Sequence, residues 1–382
     1  MKHLFLWLWV GILFGGCVKE TNSNRKNVPV YSIDYESEEP DFLDDYFEYS
    51  HHIVLETTEE SALSRINKLI VDDNRIYILC SGMKTIFIFD KQGKFIRRIA
   101  NVGKGPSEYL SAEDMIVTPD GEIKILDGIS GKINTYTANG DWIASKKCLR
   151  ATAFLQIDED KYLFNRNNSR TKVEESEPFN VCYVDGDSIK VRDLRYVPFM
   201  AGRSYRVGEG NSLMYARNME LTVPNNDTLY AFNKKTMCLE RIAYFDFQVL
   251  RPNEKMSKEE VRKYIKSCDA GEIPTSLYSL YKMGNYLYGL FNYQKTVKQV
   301  LISLEDETVL IGKSGINKDK IPILPIPYTE LSTQEEYILS VLPPLYVKAQ
   351  KGLEKGSLLY TINQELESEE CNPVLVFYKM KN

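Results

Sequence analysis

Short apolar runs alternate with polar turns along most of the chain. Residues 69–71, 76–79 and 86–89 are β-branched and aromatic runs of strand length, separated by Asp72-Asp73-Asn74 and by Ser81-Gly82. Such runs, bounded by Gly, Asn, Asp and Ser, predict strands joined by tight turns. The same order returns later: Ile76 matches Ile123, Leu79 matches Leu126, Phe89 matches Tyr136, Gly93 matches Gly140 and Phe95 matches Trp142, each pair 47 residues apart. A repeat of about 40–50 residues holding four short strands is the signature of a propeller blade. Gly93 and Gly140 supply positive φ in the turn before the last strand of each unit. Gly121, in Pro119-Asp120-Gly121, turns the first strand of the second unit into its second.

More divergent units are predicted over 151–195, 212–247 and 275–313. A last unit uses 321–327, 337–342 and 374–380 and lacks a fourth strand. Ile53-Val54-Leu55-Glu56-Thr57 supplies it from the other end of the chain. Placing first and last strands in one blade closes the ring and removes exposed edges. The pattern therefore predicts an all-β, six-bladed β-propeller whose N-terminal strand closes the last blade. A β-sandwich or two smaller β domains is the competing reading. Two short helical inserts interrupt the strands. Ser257-Lys258-Glu259-Glu260 is a capping box that opens a helix running to about Ser267. The second covers 353–367 and ends before Pro373.

The N-terminus follows a different pattern. Lys2 precedes an unbroken apolar run over residues 4–14 (LFLWLWVGILF), then Gly15, Gly16 and Cys17. Eleven apolar residues are too few to span a bilayer, which takes roughly twenty. The arrangement reads as a secretory signal. Small residues directly before a cysteine resemble a bacterial lipobox, which implies cleavage before Cys17 and lipidation of that cysteine. Residues 18–48 are polar and acidic. The expected organisation is a signal over 1–16, a flexible tether over 17–48 and the propeller over 49–382. That places the chain in the cell envelope, anchored by lipid to the outer membrane, facing either the periplasm or the surface.

Composition narrows the chemistry. With 53 acidic against 48 basic residues the net charge is −5. That balance argues against nucleic acid as a partner, which calls for a basic face. The 43% hydrophobic share is too high for wholesale disorder. Three histidines are present, His3, His51 and His52, so the propeller retains one adjacent pair. Neighbours on a strand point to opposite faces and rarely reach one ion. No metal and no cofactor are expected. Cys80, Cys148, Cys182, Cys238, Cys268 and Cys371 fall in no Cys-x-x-Cys motif. Most are expected to pack as small apolar thiols.

Several motifs together resemble the six-bladed β-propeller lipoproteins of Gram-negative gut-type anaerobes, related to NHL-repeat propellers. Leu55-Glu56-Thr57 precedes the first blade. Val102-Gly103-Lys104-Gly105-Pro106-Ser107-Glu108-Tyr109 is similar to a Gly-x-Gly-Pro-x-Glu-aromatic loop of that family. Asn226-Asp227-Thr228-Leu229-Tyr230 is similar to its Asn-Asp-Thr strand opening. Residues 372–379 (NPVLVFYK) resemble its terminal strand. The family tends to carry Asp after the second strand, as at Asp127, whereas blade one has Cys80 there. The resemblance implies fold and location more than activity.

Candidate chemistry gathers on loops. Gly103-Lys104-Gly105-Pro106 lacks phosphate-loop spacing, and Pro106 removes an N–H from any cradle. In propellers the connectors between blades, with the turns joining second and third strands, line one face of the disk. On that face the sequence places Lys104, Tyr109, Asp127, Arg166, Arg170, Tyr205, Arg206 and Tyr293 as candidate ligand contacts. Guanidinium groups bind carboxylates bidentately and aromatic faces stack, which suits a glycan, a peptide or a carboxylate. No catalytic set is recognised. Acidic pairs such as Asp72-Asp73 sit in turns. The expectation is a binding or scaffold propeller for a glycan, peptide or envelope protein. The alternatives are a carboxylate-based hydrolase or lyase acting on a glycan at the same face, and an assembly module with no small ligand.

Overall fold

The computed structural model describes residues 28–37, 42–166, 179–195, 214–215, 220–223, 225–313, 321, 329–331 and 336–381. Their strands form six small sheets, arranged as the blades of a six-bladed β-propeller. Blade one holds Lys68–Val71, Arg75–Cys80, Thr85–Asp90 and Phe95–Ile99. Blade two holds Asp114–Val117, Ile123–Asp127, Lys132–Tyr136 and Trp142–Lys147. Blade three runs from Ala153–Asp158 to Ser188–Arg195, blade four from Met214–Tyr215 to Cys238–Asp246, and blade five from Tyr278–Met283 to Val309–Lys313. Blade six combines Ile338–Leu342 and Val374–Met380 with Phe47–Val54.

The sequence repeat has a direct geometric cause. Ile76 lies opposite Phe89 in blade one, and Ile123 lies opposite Tyr136 in blade two. The matched residues are thus the same cross-strand pair in successive blades, and all four are fully buried. Strand Arg75–Cys80 faces two neighbours at once. Ile76, Ile78 and Cys80 pack with Leu339, Leu375 and Phe377 of blade six. Tyr77 and Leu79 pack with Met115, Ile123 and Ile125 of blade two. Burial on both sides explains why the strand reads as a continuous apolar run. Each such side chain contributes about 1.5–3 kcal/mol when fully buried.

Gly93 is fixed by two demands. Its φ is +87°, and a Cβ there would lie 2.3 Å from the carbonyl oxygen of Val54. Gly140 repeats the arrangement at φ +79°, with Cγ1 of Ile99 3.0 Å from a Cβ. In each case the turn before the outer strand presses on the outer strand of the preceding blade. Val54, on the closing strand, is to blade one what Ile99 is to blade two.

Closure is the expected one, with shifted limits. Phe47–Val54 pairs antiparallel with Val374–Met380. The strand stops at Val54 because the next polar residues have other partners. Glu56 Oε2 accepts the N–H of Phe95 at 2.7 Å, and Thr57 Oγ1 accepts the N–H of Asn372 at 2.7 Å. The Asn372 side chain, 3% exposed, donates to the carbonyls of Glu56 (2.7 Å) and Ser61 (2.9 Å) and accepts from Leu63 N–H (2.9 Å). Inside the ring, Thr329–Leu331 pairs in parallel with Lys68–Val71 of blade one. The two ends of the ring are therefore joined both outside and inside.

The segment read as a tether up to residue 48 joins the fold earlier. Val30–Ser32 adds in parallel outside Cys238–Asp246 of blade four, with Tyr31 stacked on Phe245 at 6.2 Å. Ile33, Phe42, Leu43 and Phe47 are buried, and Leu43–Tyr46 forms one helical turn before the closing strand. These apolar residues are spaced widely among acids, so the average polarity of the segment conceals them. Cys17 and the signal lie outside the described residues.

Both helical inserts are present. The first spans Lys258–Ala270, with the Ser257–Glu260 capping box formed and Gly271 closing it at φ +78°. The second, expected over 353–367, is the helix Leu358–Glu365, opened by Ser357, which accepts the N–H of Tyr360; a short unexpected helix, Pro344–Ala349, precedes it. Cys80, Cys148, Cys182, Cys238, Cys268 and Cys371 remain thiols.

Candidate binding face

One face of the disk is built from the connectors between blades and the turns between second and third strands. Tyr109 shows that the two loop types meet. It lies on the connector from blade one to blade two, and its hydroxyl is 2.8 Å from the carbonyl of Lys84, in the second turn of blade one. The carbonyl of Ile99 is 3.0 Å away. Tyr109 is fully buried, and burial pushes its phenol well above the ordinary tyrosine range.

The preceding loop is folded around a carboxylate. Gly105 donates its N–H to Glu108 Oε2 at 2.7 Å, and Gly103 donates to the carbonyl of Tyr109 at 3.0 Å. A Cβ at Gly103 would sit 2.0 Å from Glu108 Oε2, so the loop needs glycine there. Blade two holds the loop from below. Tyr136 donates to the carbonyl of Ser107 at 2.9 Å, Ser145 Oγ to that of Pro106 at 2.7 Å, and the Lys132 ammonium to that of Glu108. The motif is a rigid wedge that leaves Lys104 exposed at its tip.

Asp127 ends the second strand of blade two and is fully buried. Oδ2 accepts the N–H of Leu110 at 2.8 Å. Oδ1 accepts the N–H groups of Ser130 at 3.0 Å and Ser111 at 3.2 Å, and the Ser111 hydroxyl at 3.1 Å. Burial alone would raise this carboxyl, but the donors from Ser130, Leu110 and Ser111 outweigh it and hold it below the usual carboxylate range. The side chain ties connector to turn.

Two further buried carboxylates were not singled out as site residues from sequence. Asp114 opens the first strand of blade two and meets Lys68, which opens the first strand of blade one, at 2.9 Å. Its Oδ2 accepts the N–H of Phe154 in blade three at 3.0 Å. Three first strands are thereby linked at their loop-face ends. Asp227 pairs with Arg251 between blade four and the helical insert, within a network that includes Tyr264 and Asn225. Asp227 lies in a motif visible in the sequence. Nothing in the pattern ties it to an arginine 24 residues away. Glu113 completes the group. It lies in the connector beside Gly128, and burial raises its carboxyl against the hydrogen bond from Ser111, with Asp127 and Asp114 adding to the rise.

Two of the remaining sequence candidates, Arg166 and Tyr293, lie on other blades. Arg166 follows the second strand of blade three and is 1% exposed. Its N–H donates to Asn180 at 2.8 Å, and Nη1 is 3.5 Å from the carbonyl of Phe179. Tyr293 ends the second strand of blade five, buried edge-on against Tyr35 at 4.9 Å, with its hydroxyl 3.4 Å from Glu36 Oε1. Arg170, Tyr205 and Arg206 lie outside the described residues. Lys104, Tyr109 and Asp127 thus share one hub, while Arg166 and Tyr293 stand apart. Of the five described, Lys104 alone is exposed.

The exposed groups of the hub are apolar as well as basic. Met83 (41%), Val102 (45%) and Ile129 (53%) project from its two turns and its connector. The turns are joined to the connector by the Tyr109–Lys84 contact and by the Ile129 N–H, 3.2 Å from Ser111 Oγ. The histidine pair lies on the closing strand. His51 stacks on Phe377 at 4.3 Å. His52 Nδ1 is 2.7 Å from the Tyr49 hydroxyl, and Nε2 is 2.9 Å from Glu365.

Six blades closed by an N-terminal strand, with connectors and turns gathered on one face, define a six-bladed β-propeller. The chain belongs to the family described as domain of unknown function DUF4934, which matches residues 26–379. It is similar in structure to a Bacteroides fragilis protein assigned as exported, with 17% identity and a TM-score of 0.71 over 92% of this chain and 99% of that one. A member of the DUF4221 family from Bacteroides vulgatus has 12% identity and a TM-score of 0.52, over 88% and 99%. At these identities the likeness shows the fold alone. No functionally curated protein matches the sequence.

Proposed function

We propose that this chain is a lipid-anchored envelope propeller that binds a glycan, a peptide or an envelope protein through its loop face. One observation carries the reading. The buried carboxylates Asp114 and Asp127 are each held by donors of the chain itself, while Met83, Val102, Ile129 and Lys104 are offered to solvent around the same hub. Rigid loops with exposed apolar and basic tips suit recognition, because the scaffold has already met the cost of ordering them. Anchoring through Cys17 is supported by the apolar run over 4–14 and the small residues before the cysteine. The B. fragilis protein of similar fold is itself assigned as exported, which agrees with an envelope location.

The test is binding to glycan and peptide arrays by the chain from residue 18 onward, compared with its Lys104→Glu/Ile129→Asp variant. Ligands lost by the variant at unchanged melting temperature support the reading. A native chain that binds nothing on either array, while hydrolase screens give turnover, contradicts it.

A second reading rests on Glu113. Burial raises the Glu113 carboxyl, and a raised carboxyl is better suited to a general acid, which fits a hydrolase or lyase acting on a glycan at this face. Turnover abolished by Glu113→Gln at unchanged stability would favour it. Turnover absent from the native chain would remove it.

A further inference from the structure

The chain that leads from Cys17 reaches the disk at the rim of blade four. Val30–Ser32 runs along the outside of that blade, and the carbonyl of Pro29 accepts the N–H of Tyr244 at 2.9 Å. The strand is parallel to Cys238–Asp246, which leads into the loop-face connector to blade five. The chain before Val30 therefore arrives from the side away from the loop face. Cys17 lies eleven residues before Val28. That length spans at most about 40 Å when fully extended. Blade four is thus kept beside whatever holds Cys17, while blade one lies across the ring.

The rim at this place exposes apolar side chains. Val30 and Tyr244 are paired in register, so they share one side of the sheet, and they are 56% and 37% exposed. Tyr31, between Val30 and Ser32, turns inward and is buried. Leu250, in the connector that leaves the same strand, is 75% exposed. The exposed charges of Cys238–Asp246 and the turn that opens it are Lys234, Lys235 and Arg241 against Glu240. Exposed aliphatic groups, a tyrosine with an apolar ring and a polar tip, and a positive balance together match an anionic lipid surface.

We propose that the rim of blade four, through Val30, Tyr244 and Leu250, seats on the headgroup region of an anionic phospholipid bilayer. Given the anchoring through Cys17, on which this placement rests, the acyl chains hold the protein to the bilayer and the rim sets its orientation. The disk then stands on its edge, and the exposed tips of blades one and two stand clear of the lipid.

Cleavage before Cys17 leaves Trp142, on blade two, as the one tryptophan of the chain. An indole placed elsewhere can therefore report contact with lipid. The full chain is expressed with its signal in a Gram-negative bacterium, extracted, and reconstituted into phosphatidylglycerol–phosphatidylethanolamine vesicles with brominated acyl chains, which quench nearby indoles. Interfacial side chains sit about 5–10 Å into the headgroup boundary, so Val30→Trp and Leu250→Trp, each combined with Trp142→Phe, should be quenched at least about twofold more than native Trp142. They should exceed Ile129→Trp/Trp142→Phe by the same margin. Quenching of native Trp142 or of Ile129→Trp as strong as at the rim overturns the proposal, because another face would then meet the lipid. So does a lipidated, vesicle-bound chain of native melting temperature in which Val30→Trp or Leu250→Trp stays unquenched. A Cys17 peptide without acyl chains by mass spectrometry, from a chain that does not sediment with vesicles, removes the anchoring and this placement with it.

Discussion

Asp227 Oδ2 lies 2.6 Å from Arg251 Nε, and this buried pair fastens the helical insert to blade four. The same guanidinium donates to the carbonyls of Pro274 at 2.6 Å and Thr275 at 3.2 Å, where blade five begins. One arginine therefore joins two blades and the insert between them. Removing one partner of a buried pair leaves the other charge uncompensated, at a cost of about 3–5 kcal/mol. Arg251→Ala is expected to lower stability by that order in urea unfolding. Asp227→Leu/Arg251→Met should cost less than Arg251→Ala alone. Amide exchange in Lys258–Ala270 should rise in Arg251→Ala, because the helix loses its tie to blade four.

Asp127 sets a dependence on pH. Its carboxyl is held below the usual range in the folded chain, so its contribution is fully present above the unfolded value of about 3.9. That contribution is lost as pH falls through the lower folded value. Asp127→Asn should cost about 1–3 kcal/mol at pH 7, because buried N–H groups lose their acceptor. It should also flatten this part of the acid limb. Urea unfolding at a series of pH values below neutral, on the native chain and the variant, checks both.

Gly93 and Gly186 separate backbone strain from close packing. Both have positive φ, +87° and +62°, but a Cβ meets nothing within 4 Å at Gly186 and meets the closing strand at Gly93. Gly186→Ala should cost about 1–2 kcal/mol from the left-handed backbone alone. Gly93→Ala should cost clearly more, because the closing strand must shift. Thermal melts of the two variants give the comparison.

The blades were legible because their repeat is written in cross-strand partners. Ile76 with Phe89 and Ile123 with Tyr136 recur at one spacing, and Gly93 and Gly140 mark the same turn. The outer strand Val30–Ser32 was hidden because three residues carry no periodicity. Its pairing with blade four joins residues more than two hundred positions apart. For the site, sequence located the loops and missed the direction of their side chains. A polar residue at a strand end can face solvent or turn back onto backbone N–H groups, and the letter is the same. Asp127 turns back; Lys104 does not. Lys68 and Asp114 open equivalent strands of adjacent blades. Their pairing became apparent only once the blades were set side by side.

In the proposed function, ligands are taken by the loop face of a preformed propeller. Array binding by the native chain and by Lys104→Glu/Ile129→Asp, with melting temperatures measured in parallel, tests it most directly. Ligands should be bound by the native chain and lost by the variant, at melting temperatures equal within about 2 °C, since exposed substitutions change stability by little. The same ligands bound equally by both chains would contradict it.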